Sequence, residues 1–368
     1  MTSTPEAVAR AASVRTAVGA VLDPEIRRPL SELDMIGEVA VEGASAQVAL
    51  RLTILGCPAA DAIAREVRSA ALAVPGVEAI DLDVSVMTPA ERETLVTRLR
   101  GTRPRQFGPD SLTRVIAVTS GKGGVGKSSV TANLAVDLAA RGLAVGVLDA
   151  DVFGFSIPGM LGIPEARPTK VGDMILPPVL DSAGGGSIRV ISIGMFLDPG
   201  GSRAVSWRGP LLHRTMQQFL SDVWWGDLDT LLLDLPPGTG DVAISLGQLL
   251  PGAEVLVVTT PQPAAADVAE RSGLVARQTG QRVIGVVENM VGGLFGSGGG
   301  DEVAGRLGAP VLARIPLSVP LRAGGDAGDP VVRAHPDDAA SAAIAALTAA
   351  VLATGRPLAG RALPFTVA

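Results

Sequence analysis

Gly121-Lys122-Gly123-Gly124-Val125-Gly126-Lys127-Ser128 fits the pattern G-x-x-x-x-G-K-[ST]. Those residue types at that spacing suit phosphate chemistry. Glycines let successive backbone N–H groups point at phosphate oxygens, and a helix starting near Lys127 adds the positive end of its dipole. Lys127 is placed to reach β- and γ-phosphates, and the Ser128 hydroxyl to ligate Mg2+. Ser129 continues the loop. The expected cofactors are ATP and Mg2+.

Acidic residues supply the rest of such a site. Leu231-Leu232-Leu233-Asp234 ends an apolar run, and Asp234 is suited to hold Mg2+ directly or through water. It is followed by Leu235-Pro236-Pro237-Gly238-Thr239-Gly240-Asp241, where Gly238 can bring a backbone N–H to the γ-phosphate. Asp149-Ala150-Asp151 ends another apolar run. Asp149 suits the Mg2+ water shell, and Asp151 suits orientation of the attacking water. Each of these acids is equally a residue type that caps a following helix.

Lysine usage singles out the same loop. Lys+Arg number 31, yet only Lys122, Lys127 and Lys170 are lysine. Where a generic cation suffices the chain uses Arg, so the two loop lysines mark a need for a compact ammonium.

The elements that must position these groups are legible as short apolar runs alternating with helical stretches. The runs are Val115–Val118, Ala144–Leu148, Arg189–Ile193, Thr230–Leu233, Glu254–Val258, Val283–Val287 and Val311–Ile315. They predict buried parallel strands, and the alternation predicts a doubly wound, mainly parallel α/β sheet. In such a sheet all strand C-termini share one edge, which brings the acids to the phosphates. The Ala-rich stretch Asp337–Leu352 predicts a C-terminal helix, and Gly296–Gly300 a loop.

Residues 1–100 predict a small α+β domain. Pro5–Val21 is a helix, Met35–Val41 and Ala46–Ile54 are strands, a helix runs from Pro58 to about Ala73, and Val77–Val86 is a third strand. Thr88-Pro89 opens a short helix with Glu91 placed for a capping box. Residues 101–113, rich in Gly and Pro, read as a linker, and 114–368 as the P-loop ATPase domain.

Composition narrows the function. Hydrophobic residues make up 47% and charged residues 18%, enough for a core of this size. The net charge of −6 argues against a nucleic-acid partner. No run reaches a membrane-spanning length, and Met1–Arg10 shows no apolar signal region, so a cytoplasmic protein with no membrane partner is expected. The single cysteine, Cys57, fits a reducing compartment. With His213 and His335 as the only histidines, one chain cannot supply four Cys/His ligands to zinc or an iron–sulfur cluster. Cys57 lies between Gly56 and Pro58. It reads either as a small buried hydrophobe or as an exposed thiol at a helix N-terminus, where the dipole favours thiolate.

With Lys122 one residue into the loop, G-K-G-G-V-G-K-S resembles the deviant Walker A of the MinD/ParA/nitrogenase-iron-protein class of dimeric ATPases. Asp149-Ala150-Asp151, D-L-P-P-G-T-G-D, Glu288-Asn289-Met290, Trp207-Arg208-Gly209-Pro210 and Gly298-Gly299-Gly300 look like the Mrp/ApbC iron–sulfur cluster carriers. Asp23-Pro24-Glu25 with Gly56-Cys57-Pro58 is similar to the small domain preceding the ATPase in many of them. The resemblance implies a homodimer in which Lys122 reaches the partner's phosphates. It implies that Asn289 reads adenine, and that the partners are apo iron–sulfur clients or assembly factors. It also implies a C-x-x-C shortly after Glu288-Asn289-Met290, but the segment Val291–Gly296 holds no Cys. Any cluster is therefore expected to be labile, with Cys57 the one thiol to touch it. The sequence leaves two alternatives: a MinD/ParA-like positioning ATPase, or a scaffold that no longer binds a cluster.

Overall fold

A computed structural model describes residues 5–54, 56–101, 106–108, 111–151, 154–197 and 209–355. The chain forms two compact units. Trp207 and Arg208, and part of the expected linker, lie outside the described residues.

The first unit begins with α1 (Pro5–Gly19), β1 (Ile36–Glu42), β2 (Ser45–Leu52), α2 (Ala60–Leu72), β3 (Ala79–Val86) and α3 (Pro89–Arg100). The strands form one sheet in the order β1-β2-β3, antiparallel then parallel. The capping box at α3 is present: Thr88 accepts from Glu91 N–H, and Glu91 accepts from Thr88 N–H. Val14, Leu30, Leu50, Ile63 and Leu95 anchor the core.

The second unit carries an eight-stranded sheet. Its chain order begins β4 (Arg114–Ser120), α4 (Lys127–Ala140), β5 (Ala144–Asp149) and α5 (Ile157–Met160). The chain then leaves this unit for a hairpin, β6 (Thr169–Val171) and β7 (Met174–Leu176), and continues with β8 (Val179–Asp181), β9 (Ser187–Ser192) and α6 (Gly209–Ser221). The rest is β10 (Thr230–Asp234), α7 (Asp241–Leu249), β11 (Glu254–Thr259), α8 (Pro263–Gln278), β12 (Arg282–Val291), α9 (Gly299–Leu307), β13 (Val311–Pro316), α10 (Val319–Ala327), α11 (Val331–Ala334) and α12 (Ala339–Ala353). The order across the sheet is β13-β12-β11-β4-β10-β5-β9-β8. Every pairing from β13 to β9 is parallel. The seven apolar runs of the sequence are the seven strands of this parallel portion, which makes the fold the expected doubly wound α/β sheet.

Two segments depart from the sequence reading. The β6–β7 hairpin, within Arg167–Val179, and Ser221–Gly226 belong to the first unit, not to the second as 114–368 implied. Val171, Met174 and Leu176 join the first unit's core, and Trp224 donates from its indole to the Ile26 carbonyl at 3.3 Å. The physical reason is burial: apolar residues distant in sequence join the first unit's core. Gly299 and Gly300 also differ from expectation, since they open α9 instead of lying in a loop. A Cβ on Gly299 would stand 2.5 Å from the Thr260 carbonyl oxygen, so close backbone approach demands glycine there.

Candidate nucleotide site

The register of the sheet brings the expected groups to one edge. Asp234, the last residue of β10, pairs with Val118 of β4 on one side and Asp149 of β5 on the other. Directly after β4 the loop Gly121–Gly126 runs into α4, whose first residue is Lys127. Gly124 and Gly126 take φ of +81° and +82°, in the left-handed region that L side chains rarely adopt. Lys122–Ser129 line a cleft of about 330 Å³ with Asp151, Gly154, Ser156, Met160 and Pro237.

One carboxylate organises the loop's chemistry. Asp234 is fully buried, and its Oδ2 accepts from Lys127 Nζ and from Ser128 Oγ, each at 2.6 Å. Its Oδ1 accepts from Thr131 Oγ1 at 2.7 Å. The Ser128 hydroxyl and the Asp234 carboxylate are hard oxygen donors side by side, a donor set that fits Mg2+. Thr131 was not singled out in the sequence. Its signal was the i, i+4 spacing from Lys127, which puts both on one helix face.

Asp149 lies in a different environment. Its Oδ2 accepts from Ser192 Oγ at 3.1 Å and from the N–H groups of Ser156 and Ile157 at 3.1 and 3.3 Å. Its Oδ1 accepts from Asp151 N–H at 3.2 Å. These bonds serve the start of α5, the capping role open in the sequence. Burial, followed by the neighbouring Asp234 charge, pushes the Asp149 carboxyl up to about 7. Asp151 borders the cleft and accepts from Gly154 N–H at 3.0 Å.

Other expected residues are placed as follows. Lys122 is exposed at the cleft and makes no ion pair among the described residues. Gly121 faces away from it: a Cβ there would fall 2.2 Å from the Val268 backbone carbon, so this glycine serves the packing of α8. Gly238 takes φ +93°, and its N–H donates to the Ser120 carbonyl at 2.8 Å, not toward the cleft. Asn289 donates through Nδ2 to the Val125 carbonyl at 2.9 Å, while its buried Oδ1 has no partner among the described residues. The pairing of β12 with β13 shifts register between Glu288 and Val291, with Met290 at φ +60°. Such a bulge re-aims side chains at the end of a strand, here beside the loop.

Cys57 corrects an expectation. It is 7% exposed, with its Sγ 4.0 Å from Glu25 Oε2. Burial pushes the thiol up from its ordinary value, and the charges of Glu25 and Asp23 add to the rise. The reading as a small buried hydrophobe holds, and the reading as an exposed thiolate does not. Among the described residues no group of three or more His, Cys, Asp and Glu side chains is arranged to hold a metal ion.

Comparison with known proteins gives these features a family. Residues 111–352 match the family model described as NUBPL iron-transfer P-loop NTPase. The chain belongs to that family. In this P-loop NTPase, residues 11–82 also match the model described as iron-sulfur cluster assembly protein. A Mycobacterium tuberculosis protein named iron-sulfur cluster carrier protein is 50% identical over 372 positions, covering 96% of each chain. A protein of the same name from Synechocystis is 38% identical, covering 91% of this chain and 95% of its own. Among solved structures, a nucleotide-binding protein from Archaeoglobus fulgidus in complex with ADP is 38% identical. It superposes with a TM-score of 0.50 over 58% of this chain and 86% of its own. MinD from Pyrococcus horikoshii, complexed with Mg-ADP, is 25% identical with a TM-score of 0.50, over 67% of this chain and 98% of its own. No helix among the described residues is long and apolar enough to cross a membrane.

Proposed function

We propose that this P-loop NTPase is an ATP-hydrolysing carrier or assembly factor for iron–sulfur clusters. On this reading it works as a cytoplasmic homodimer and delivers its cargo to apo client proteins. The observation that carries the reading is the convergence of Lys127 and Ser128 on Asp234 in a chain half identical to proteins named as cluster carriers. Lys127 binds the β/γ-phosphates, and Ser128 with Asp234 holds Mg2+, which neutralises phosphate charge when bound. Asp151, at the cleft, orients the attacking water. The Oδ1 of Asn289, with no partner among the described residues, is an acceptor matched to the exocyclic amine of adenine. Lys122, exposed and in no ion pair among the described residues, is placed to reach the phosphates of a second copy.

The cargo reading needs thiolates that one chain does not supply, since the sole cysteine is buried. On the carrier reading the thiolates during transfer come from client or small-molecule thiols. The burial of Cys57 also favours a second reading, a nucleotide-driven scaffold that recruits partners without holding the cluster itself.

The test is anaerobic. Iron and acid-labile sulfide are measured after reconstitution and desalting, together with phosphate release from ATP and activation of an apo iron–sulfur enzyme. The carrier reading expects cluster-dependent activation and hydrolysis that is lost in Lys127→Ala and impaired in Lys122→Arg. Hydrolysis with no retained iron and no activation leaves the scaffold. No hydrolysis above Lys127→Ala overturns both.

A further inference from the structure

We propose that Thr131 is a positioning residue of the Mg2+–nucleotide site, holding the Asp234 carboxylate in place when Lys127 and Ser128 turn to phosphate and metal. The inference rests on the nucleotide-site reading above.

The hydrogen-bond inventory of Asp234 carries it. Among the described residues three side chains donate to this carboxylate, and two of them have other work. Lys127 and Ser128 share Oδ2, and both are the loop residues whose chemistry is directed at phosphate and Mg2+. Once they turn to the ligand, Thr131 is the side-chain donor that stays. It is fully buried on α4, one turn beyond Lys127, and it lies behind the cleft instead of lining it. Its hydroxyl carries a single proton. The Lys127 carbonyl is also within reach at 3.0 Å, but the carboxylate is nearer at 2.7 Å and charged, so Asp234 takes the bond.

The bond falls on Oδ1, the oxygen that Lys127 and Ser128 leave alone. With Oδ1 held, the carboxylate cannot rotate freely about its Cβ–Cγ bond, and Oδ2 stays beside Ser128. A buried carboxylate with no fixed donor would be free to reorient. Thr131 therefore tunes how well the site accepts Mg2+ without touching nucleotide.

The experiment measures the affinity of the full chain for a fluorescent ADP, with saturating Mg2+ and with EDTA. Wild type, Thr131→Val, Thr131→Ala and Thr131→Ser are compared. Val keeps the shape and removes the hydroxyl, Ala removes it with less bulk should Val disturb the fold, and Ser restores it. Wild type is expected to bind tighter with Mg2+. Val and Ala are expected to lose about tenfold of that tightening, as suits one hydrogen bond to a charged group, with the EDTA affinity unchanged and Ser close to wild type. An equal loss in both conditions would mark Thr131 as merely structural and overturn the proposal. So would Mg2+ tightening that survives intact in Val and Ala. A wild type that fails to bind ADP under either condition would overturn the nucleotide-site reading itself, an outcome distinct from the other two.

Discussion

The ammonium of Lys127 stands 2.6 Å from Asp234 Oδ2, with its side chain 6% exposed and the carboxylate fully buried. In a charge pair withdrawn this far from water each partner offsets the other's lost hydration, and removing one strands the other. Lys127→Ala leaves Asp234 with two neutral hydroxyl donors. The variant is expected to lose ATP binding and about 3 kcal/mol of stability. Urea unfolding measures the second effect, and an unchanged midpoint would show that the pair does not form in solution.

The loop glycines should separate by substitution. A Cβ on Gly121 meets the Val268 backbone at 2.2 Å, and one on Gly126 meets Asn289 Nδ2 at 2.2 Å in a residue at φ +82°. A Cβ on Gly123 meets nothing nearer than Pro237 Cγ at 3.9 Å. Gly121→Ala and Gly126→Ala are each expected to cost about 2–3 kcal/mol, and Gly123→Ala to melt like wild type. Gly121→Ala displaces α8 in place of a phosphate contact, so its damage should appear in thermal melts even without nucleotide. A normal melt for Gly121→Ala would remove the packing role.

The parallel strands were legible because each is a short, mostly apolar run set between helical stretches, and the phosphate loop because its spacing is chemically narrow. The β6–β7 hairpin was not, although its signal was present. Val171 and Met174 pair across Gly172-Asp173, a two-residue turn with Gly172 at φ +63°. Three-residue strands give too little alternation to register. The burial of Cys57 was illegible for another reason. It depends on Glu25, 32 residues away, and on a core closed by the inserted hairpin. Asp149 and Asp151 were placed correctly at a strand end, but only the atoms show that Asp149 spends its oxygens on backbone N–H groups and on Ser192.

The Asp149 carboxyl carries a pH dependence with a definite sign. Its value rises from 3.8 to about 7 on folding, so between those limits the folded chain keeps a proton that the unfolded chain gives up. The stability this group contributes is complete below pH 4 and is lost as pH rises toward 7; beyond 7 both states are ionised. Without nucleotide, the melting temperature of Asp149→Asn should therefore vary less between pH 5 and pH 8 than that of wild type. Identical slopes would show that Asp149 ionises as an ordinary carboxyl.

Cys57 should behave as a core residue toward thiol reagents. Only the thiolate attacks an alkylating agent, and both the low exposure of Cys57 and its raised value suppress that form. Two acids sharpen the effect. Glu25 accepts from Thr169 Oγ1 at 2.7 Å through Oε1, which leaves Oε2 beside the sulfur, and Asp23 is fixed by the N–H groups of Glu25 and Ile26. Negative charge held near a thiol disfavours its ionisation. Alkylation by iodoacetamide at pH 7.5, followed by mass spectrometry, is expected to be at least about a hundredfold slower in the folded chain than in urea. Glu25→Gln removes one of the opposing charges and should recover part of that rate, because burial, the larger cause, remains. Fast alkylation of the folded wild type would show that the thiol reaches solvent, and would return Cys57 to the set of groups able to meet a cluster.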